Sequence, residues 1–142
     1  MTIPIVPKLL RSHLSDLAEK DARIDGRGRW EGRELDVQHS ILPRAEGSAR
    51  VRMGDTIVLA GVKFQIMTPY PDRPNQGGLM CSAEVRPVAG RNWESGPPSP
   101  ESIELGRVVD RGIRESGCID VDSLCIIPGE KAWQVILDLF AI

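Results

Sequence analysis

The 142-residue chain has little of what metal and redox sites are built from. Its three cysteines, Cys81, Cys118 and Cys125, form no CxxC spacing, and its two histidines, His13 and His39, stand apart from them and from each other. Reduced thiols, no metal site and no cofactor are expected. Nowhere do about 18 uncharged apolar residues follow one another, so the sequence holds no membrane-spanning helix, and the N-terminal MTIPIVPKLLRSHL has no apolar stretch of the signal-peptide kind. This pattern is that of a cytoplasmic protein. A basic excess is missing too. The net charge of -2 and a pI near 5.7 argue against a free-standing nucleic-acid binder, and any contact with a nucleic acid has to be local. Internal repeats and low-complexity tracts are likewise absent.

What is present is a composition near the globular average, 41% hydrophobic and 27% charged, in a length suited to one domain with a real core. The basic residues are unusual in kind: fourteen are arginine and four lysine. Four arginines fall in RIDGRGRWEGR (Arg23, Arg27, Arg29, Arg33), a glycine-rich segment. Its simplest reading is a loop whose arginines pair with neighbouring acids. No strand precedes its GRG, so a dinucleotide-binding loop is not supported.

Leu9 or Leu10, Leu14 and Leu17 fall on one stripe, which predicts a helix over about residues 5–21 with Pro7 in its first turn. Alternation then takes over. Ala49, Val51 and Met53, followed by Thr56, Val58, Ala60, Val62, Phe64 and Ile66, predict two strands joined at Gly54-Asp55. A proline-rich loop leads to a third strand with Leu79, Cys81, Ala83 and Val85 on one face. After a second Pro/Gly loop at residues 90–100, Ser99 as N-cap and Pro100 at the first helical position start a helix that runs to Ser116, with Gly117 as C-cap. SLCII reads as a short buried strand, Pro128-Gly129 as a turn and AWQVILDLFAI as a last strand. That strand is apolar to the end of the sequence, which suggests a fragment and an open sheet edge.

The helix SIELGRVVDRGIRES carries the candidate site. At about 100° per residue, Leu105, Val108, Val109 and Ile113 gather on an apolar side expected to face the core, and Arg107, Arg111 and Arg114 form a row opposite. Two readings stand side by side. The row is a solvated face if Glu104 pairs with Arg107, Asp110 with Arg114 and Arg111 with Glu115, all at helix ion-pair spacings. Alternatively it presents guanidinium forks to successive phosphates of a single strand, since Arg107 and Arg111 lie one turn, about 6 Å, apart.

RIDGR (23–27), GSARVRMGDTIVLAGV (47–62), AEVRPVA, ESIELGRVVDRGIR and VILDLFAI occur in the order and spacing of the RNase PH-like family. The chain resembles in particular the catalytically inactive RNase PH-like subunit of the archaeal exosome, above all in YPDRPNQGGL and SGPPSPESIELGRVVDRGIRES. The resemblance covers roughly the first half of the family domain. It implies an α+β fold with a mixed, largely antiparallel sheet, and a single domain over 1–142 truncated at its C-terminus. It also implies a non-catalytic place in a hexameric ring that degrades RNA by 3'→5' phosphorolysis. The implied partners are the catalytic RNase PH-like subunit, the cap proteins and single-stranded RNA, with no membrane. Arg107 and Arg111, and by extension Arg114, are then the RNA-binding residues, and none is catalytic. Two departures from active members agree with this. The family's phosphate-holding arginine ahead of the helix has no counterpart, because residues 94–104 contain no basic residue. The family's second phosphate loop and metal-binding acids follow the strand at which residue 142 stands. The rival readings are an active phosphorolytic nuclease and a scaffold that never touches RNA.

Overall fold

The structure is a computed structural model that describes residues 8–89 and 96–142. The expected helix residues 5–7 and most of the loop at 90–100 lie outside the described residues. The chain divides into two compact units, Met1–Glu34 and Leu35–Ile142.

In the first unit, helix α1 spans Lys8–Glu19, and a loop follows that is closed by a bridge between Ala22 and Gly28. Three of the four arginines of RIDGRGRWEGR serve the loop itself. Arg27 binds Asp25 at 2.7 Å and donates to the Glu31 carbonyl, Arg29 binds Asp21 at 3.1 Å, and Arg23 donates to the Arg29 carbonyl. The Arg27 guanidinium holds the Asp25 carboxyl below its ordinary range. Arg27 and Arg29 thus pair with neighbouring acids as the sequence leads one to expect, whereas Arg23 bonds backbone instead.

The second unit is a sheet with strands β1 (Leu35–His39), β2 (Gly47–Met53), β3 (Thr56–Met67), β4 (Gly78–Val85), β5 (Cys125–Ile127) and β6 (Lys131–Ala141). Helix α2 (Pro100–Ser116) lies between β4 and β5 in the chain. The strand order is β1-β2-β3-β6-β4, and β5 pairs with the start of β6. All pairings are antiparallel except β4 with β6, which are parallel neighbours connected through α2. The β2–β3 hairpin turns at Gly54-Asp55, with Gly54 at φ 61°, a conformation that suits glycine.

The registers sort the side chains into two faces. Val51 opposite Val58, Val62 opposite Leu137, Phe64 opposite Val135 and Cys81 opposite Leu137 put one nearly continuous apolar set on a single side. The other side mixes Asp36, Arg50, Arg52, Lys63 and Asp138 with Ile57 and Ile136. On the apolar side α2 packs against β4. Leu79, Ala83 and Val135 are buried on that side and Ala132 on the other, and each Leu or Val so placed stabilises by about 2 kcal/mol. Farther across the sheet, Phe64, Met53, Val37 and Leu35 remain exposed.

Three expectations are corrected. The last strand in the chain is not a sheet edge, because β6 lies between β3 and β4. The short SLCII strand is not buried, since Ile126 and Ile127 of β5 are exposed and Cys125 is half-buried. Strand β1 falls where no strand is expected: it has five residues, all exposed, and too short an alternation to stand out.

Candidate nucleic-acid interface

Local chemistry fixes both ends of α2. The Ser99 hydroxyl accepts the Ser102 N–H at 3.2 Å, Pro100 occupies the first turn, and Glu101 places an acid at the positive end of the helix. At the other end Gly117, at φ 64°, donates its N–H to the Arg114 carbonyl at 3.2 Å. These are the boundaries the sequence predicts.

The face that meets the sheet differs from the expected one. Ser102 and Gly106 are buried, Val109, Asp110 and Ile113 are half-buried, and Leu105 and Val108 are exposed, Val108 at 63%. The reason is steric. A Cβ on Gly106 would stand 3.4 Å from the Ala83 nitrogen and 3.5 Å from the Cys81 carbonyl oxygen, so the helix approaches the backbone of β4 where its own residues are smallest. Val109 and Ile113 belong to the expected core side, but Ser102 and Gly106 replace Leu105 and Val108.

All three arginines of the row are on α2 and all are exposed. Arg107 lines a crevice between α2 and β4, together with Asp110, Ser102, Cys81 and Ser82. Of the three helix ion pairs that the spacing allows, Asp110–Arg114 forms, at 2.7 Å. Among the described residues neither Arg107 nor Arg111 is within ion-pair distance of a carboxylate. Arg114 is held a second time, because its Nη2 donates to the Leu79 carbonyl oxygen at 2.6 Å. The hydrogen bond that Arg114 donates to the Asp110 carboxylate raises the Arg114 pKa further, against a smaller effect of burial. In the same crevice, burial pushes the Cys81 thiol up, and the Asp110 and Asp138 charges add to the effect.

One polar contact has no forecast in the sequence. The Ser82 hydroxyl donates to the Asp138 carboxylate at 2.6 Å, joining β4 to β6. A lone aspartate inside VILDLFAI is the signal that could have found it. Among the described residues no group of three or more histidines, cysteines or acids is arranged to hold a metal ion, and no helix is long and apolar enough to cross a membrane.

Residues 31–142 match the 3' exoribonuclease family, domain 1, the RNase PH family. The chain belongs to the RNase PH family. Its curated relatives include the exosome complex component Rrp42 of Methanothermobacter thermautotrophicus, 45% identical over 97% of this chain and 51% of that protein. Rrp42 of Methanosarcina mazei is 46% identical over 95% of this chain and 51% of that protein. The chain thus spans about half the length of the curated relatives it matches. Among solved structures, an Archaeoglobus fulgidus exosome with RNA bound to the active site superposes with a TM-score of 0.86 at 46% identity, over 92% of this chain and 52% of that one. An archaeal exosome core superposes with a TM-score of 0.78 at 42% identity, over 93% and 49%. The mixed, largely antiparallel α+β architecture is therefore the RNase PH-like fold, present in part.

Proposed function

We propose that this chain is a portion of a ring subunit of an archaeal-type exosome, a cytoplasmic complex that degrades RNA from its 3' end by phosphorolysis. Its own role is non-catalytic: it builds the hexameric ring with a catalytic RNase PH-like subunit, beneath the cap proteins, and holds single-stranded RNA for that neighbour's chemistry. The observation that carries the RNA role is the pair Arg107 and Arg111, exposed on α2 and without a carboxylate partner among the described residues. Lying about 6 Å apart along the helix, they match successive phosphates of one strand. Holding phosphates in register contributes orientation rather than bond making, and such contacts do not read sequence. Arg114 belongs to the same row, with part of its guanidinium already engaged. The similarity to Rrp42 proteins supports the ring and its partners. The absence of a basic residue at 94–104 supports the non-catalytic role.

The test is phosphorolysis of single-stranded RNA by this subunit alone, by the catalytic partner alone and by the assembled mixture, with wild type and with Arg107→Glu/Arg111→Glu. Efficient degradation is expected from the mixture, with a loss of about tenfold or more for the double variant, since each charge-assisted contact is worth about 1.5–3 kcal/mol. Nucleoside diphosphates released by this subunit alone would make it an active nuclease. Unchanged degradation by the double variant in an intact ring would leave a scaffold.

A further inference from the structure

Little apolar surface fixes the rotation of α2 about its own axis. The residues that meet the sheet are Ser102, Gly106, Val109, Asp110 and Ile113, and two of these present almost no apolar side chain. Gly106 sets the height of the helix over residues 81–83 of β4 without preventing it from rolling. The polar contacts at its C-terminal half supply what is missing. Arg114 spans two anchors with one planar group, the Asp110 carboxylate at 2.7 Å and the Leu79 carbonyl oxygen at 2.6 Å. Leu79 is 7% exposed and sits at the start of β4, whose partners in the sheet lie on the β6 side. A rigid fork bonded to buried backbone on one side and to its own helix on the other resists both sliding and rolling. Arg107 and Arg111 lie on the two turns between the Gly106 seat and this clamp.

We infer that Arg114 is a positioning residue, whose bonds to Asp110 and to the Leu79 carbonyl hold α2 in the orientation that presents Arg107 and Arg111 to RNA phosphates. This rests on the RNA reading of those two arginines. It gives the third member of the row a different task from the first two, and it gives Asp110 a part in RNA binding although its charge repels RNA.

That opposition supplies the test, made on the assembled ring by titrating a fluorescent single-stranded RNA across a salt series. Asp110→Asn removes a negative charge beside Arg107, so bulk electrostatics alone would tighten binding. Positioning instead requires it to weaken, as must Arg114→Gln, each by about threefold or more. In an Arg107→Ala/Arg111→Ala background neither variant should change Kd further, and Arg114→Gln should leave the slope of log Kd against log salt at the wild-type value. A slope reduced by about one, with a loss that persists in that background, would make Arg114 a phosphate contact and overturn the inference. Tighter binding by Asp110→Asn, or unchanged binding by Arg114→Gln, would overturn it as well. If Arg114→Gln prevents assembly, the sign of the Asp110→Asn effect decides. Should Arg107→Ala/Arg111→Ala leave Kd unchanged, the RNA reading itself fails, an outcome distinct from those that refute only the clamp.

Discussion

Gly106 tests how closely α2 sits on the sheet, and two substitutions there should move stability in opposite directions. An alanine Cβ would lie 3.4 Å from the Ala83 nitrogen, 3.5 Å from the Cys81 carbonyl oxygen and 3.7 Å from the Ser82 carbonyl carbon, which is ordinary contact. Replacing a mid-helix glycine by alanine gains about 0.5–1 kcal/mol of helix propensity, so Gly106→Ala should be neutral or slightly stabilising. Valine adds two γ-carbons, each about 1.5 Å beyond Cβ, on a side chain that a helix holds in one rotamer. With β4 backbone already at contact distance, those carbons overlap it unless the helix lifts. Overpacking of this kind costs about 1–3 kcal/mol, so Gly106→Val should be destabilised by that amount. Because the lift carries Arg107 and Arg111 away from their set position, the same variant should bind RNA more weakly in the ring. Urea denaturation of both variants, with RNA titration of the assembled complexes, reads each effect. A loss above about 1 kcal/mol for alanine, or no loss for valine, would refute the close seat of α2 on residues 81–83.

Two further outcomes follow from the same structure. Cys81 is half-buried with its thiol pKa raised by burial and by the charges of Asp110 and Asp138, whereas Cys118 is exposed, so a thiol reagent at mildly alkaline pH should modify Cys118 well before Cys81; the reverse order by mass spectrometry would contradict the packing of α2 on β4. Lys63 bonds Glu46 at 2.9 Å and holds its carboxyl below the ordinary 4.5; a depressed folded-state value contributes stability above that pH, which is lost as pH falls through the folded pKa. A carboxyl NMR titration of Glu46 should therefore have its midpoint below 4.5 in the wild type and return toward it in Lys63→Met, and identical midpoints would show the pair to be idle.

Elements with a local signal were legible in the chain. The β2–β3 hairpin follows from alternation on both sides of Gly54-Asp55, and α2 from Ser99, Pro100 and Gly117 at its ends. The arginine row follows from spacing alone, as does the Asp110–Arg114 pair. Hydropathy misleads where closeness rather than greasiness decides, so Ser102 and Gly106 meet β4 while Leu105 and Val108 face outward. Long-range partners leave no mark in a local pattern. The Leu79 carbonyl that holds Arg114 is 35 residues away, and the interior position of β6 depends on pairings with β3 and β4 that no short window contains.

That interior position governs the order in which the sheet can come together. β2 and β3 join across a two-residue turn and close on a microsecond scale, and α2 follows β4 closely enough to dock on it early. Neither piece touches the other through a strand of its own. The link is β6, which pairs Val58 with Ala141 on one side and Gly78 with Gln134 on the other. Contacts of such separation form slowly, and until they do the apolar surfaces of both pieces face water together. On a translating ribosome the eleven residues of β6 emerge after β1–β5, so they act as the seam that joins the two pieces. Defects in them should waste newly made chains through aggregation before they alter any property of the folded protein.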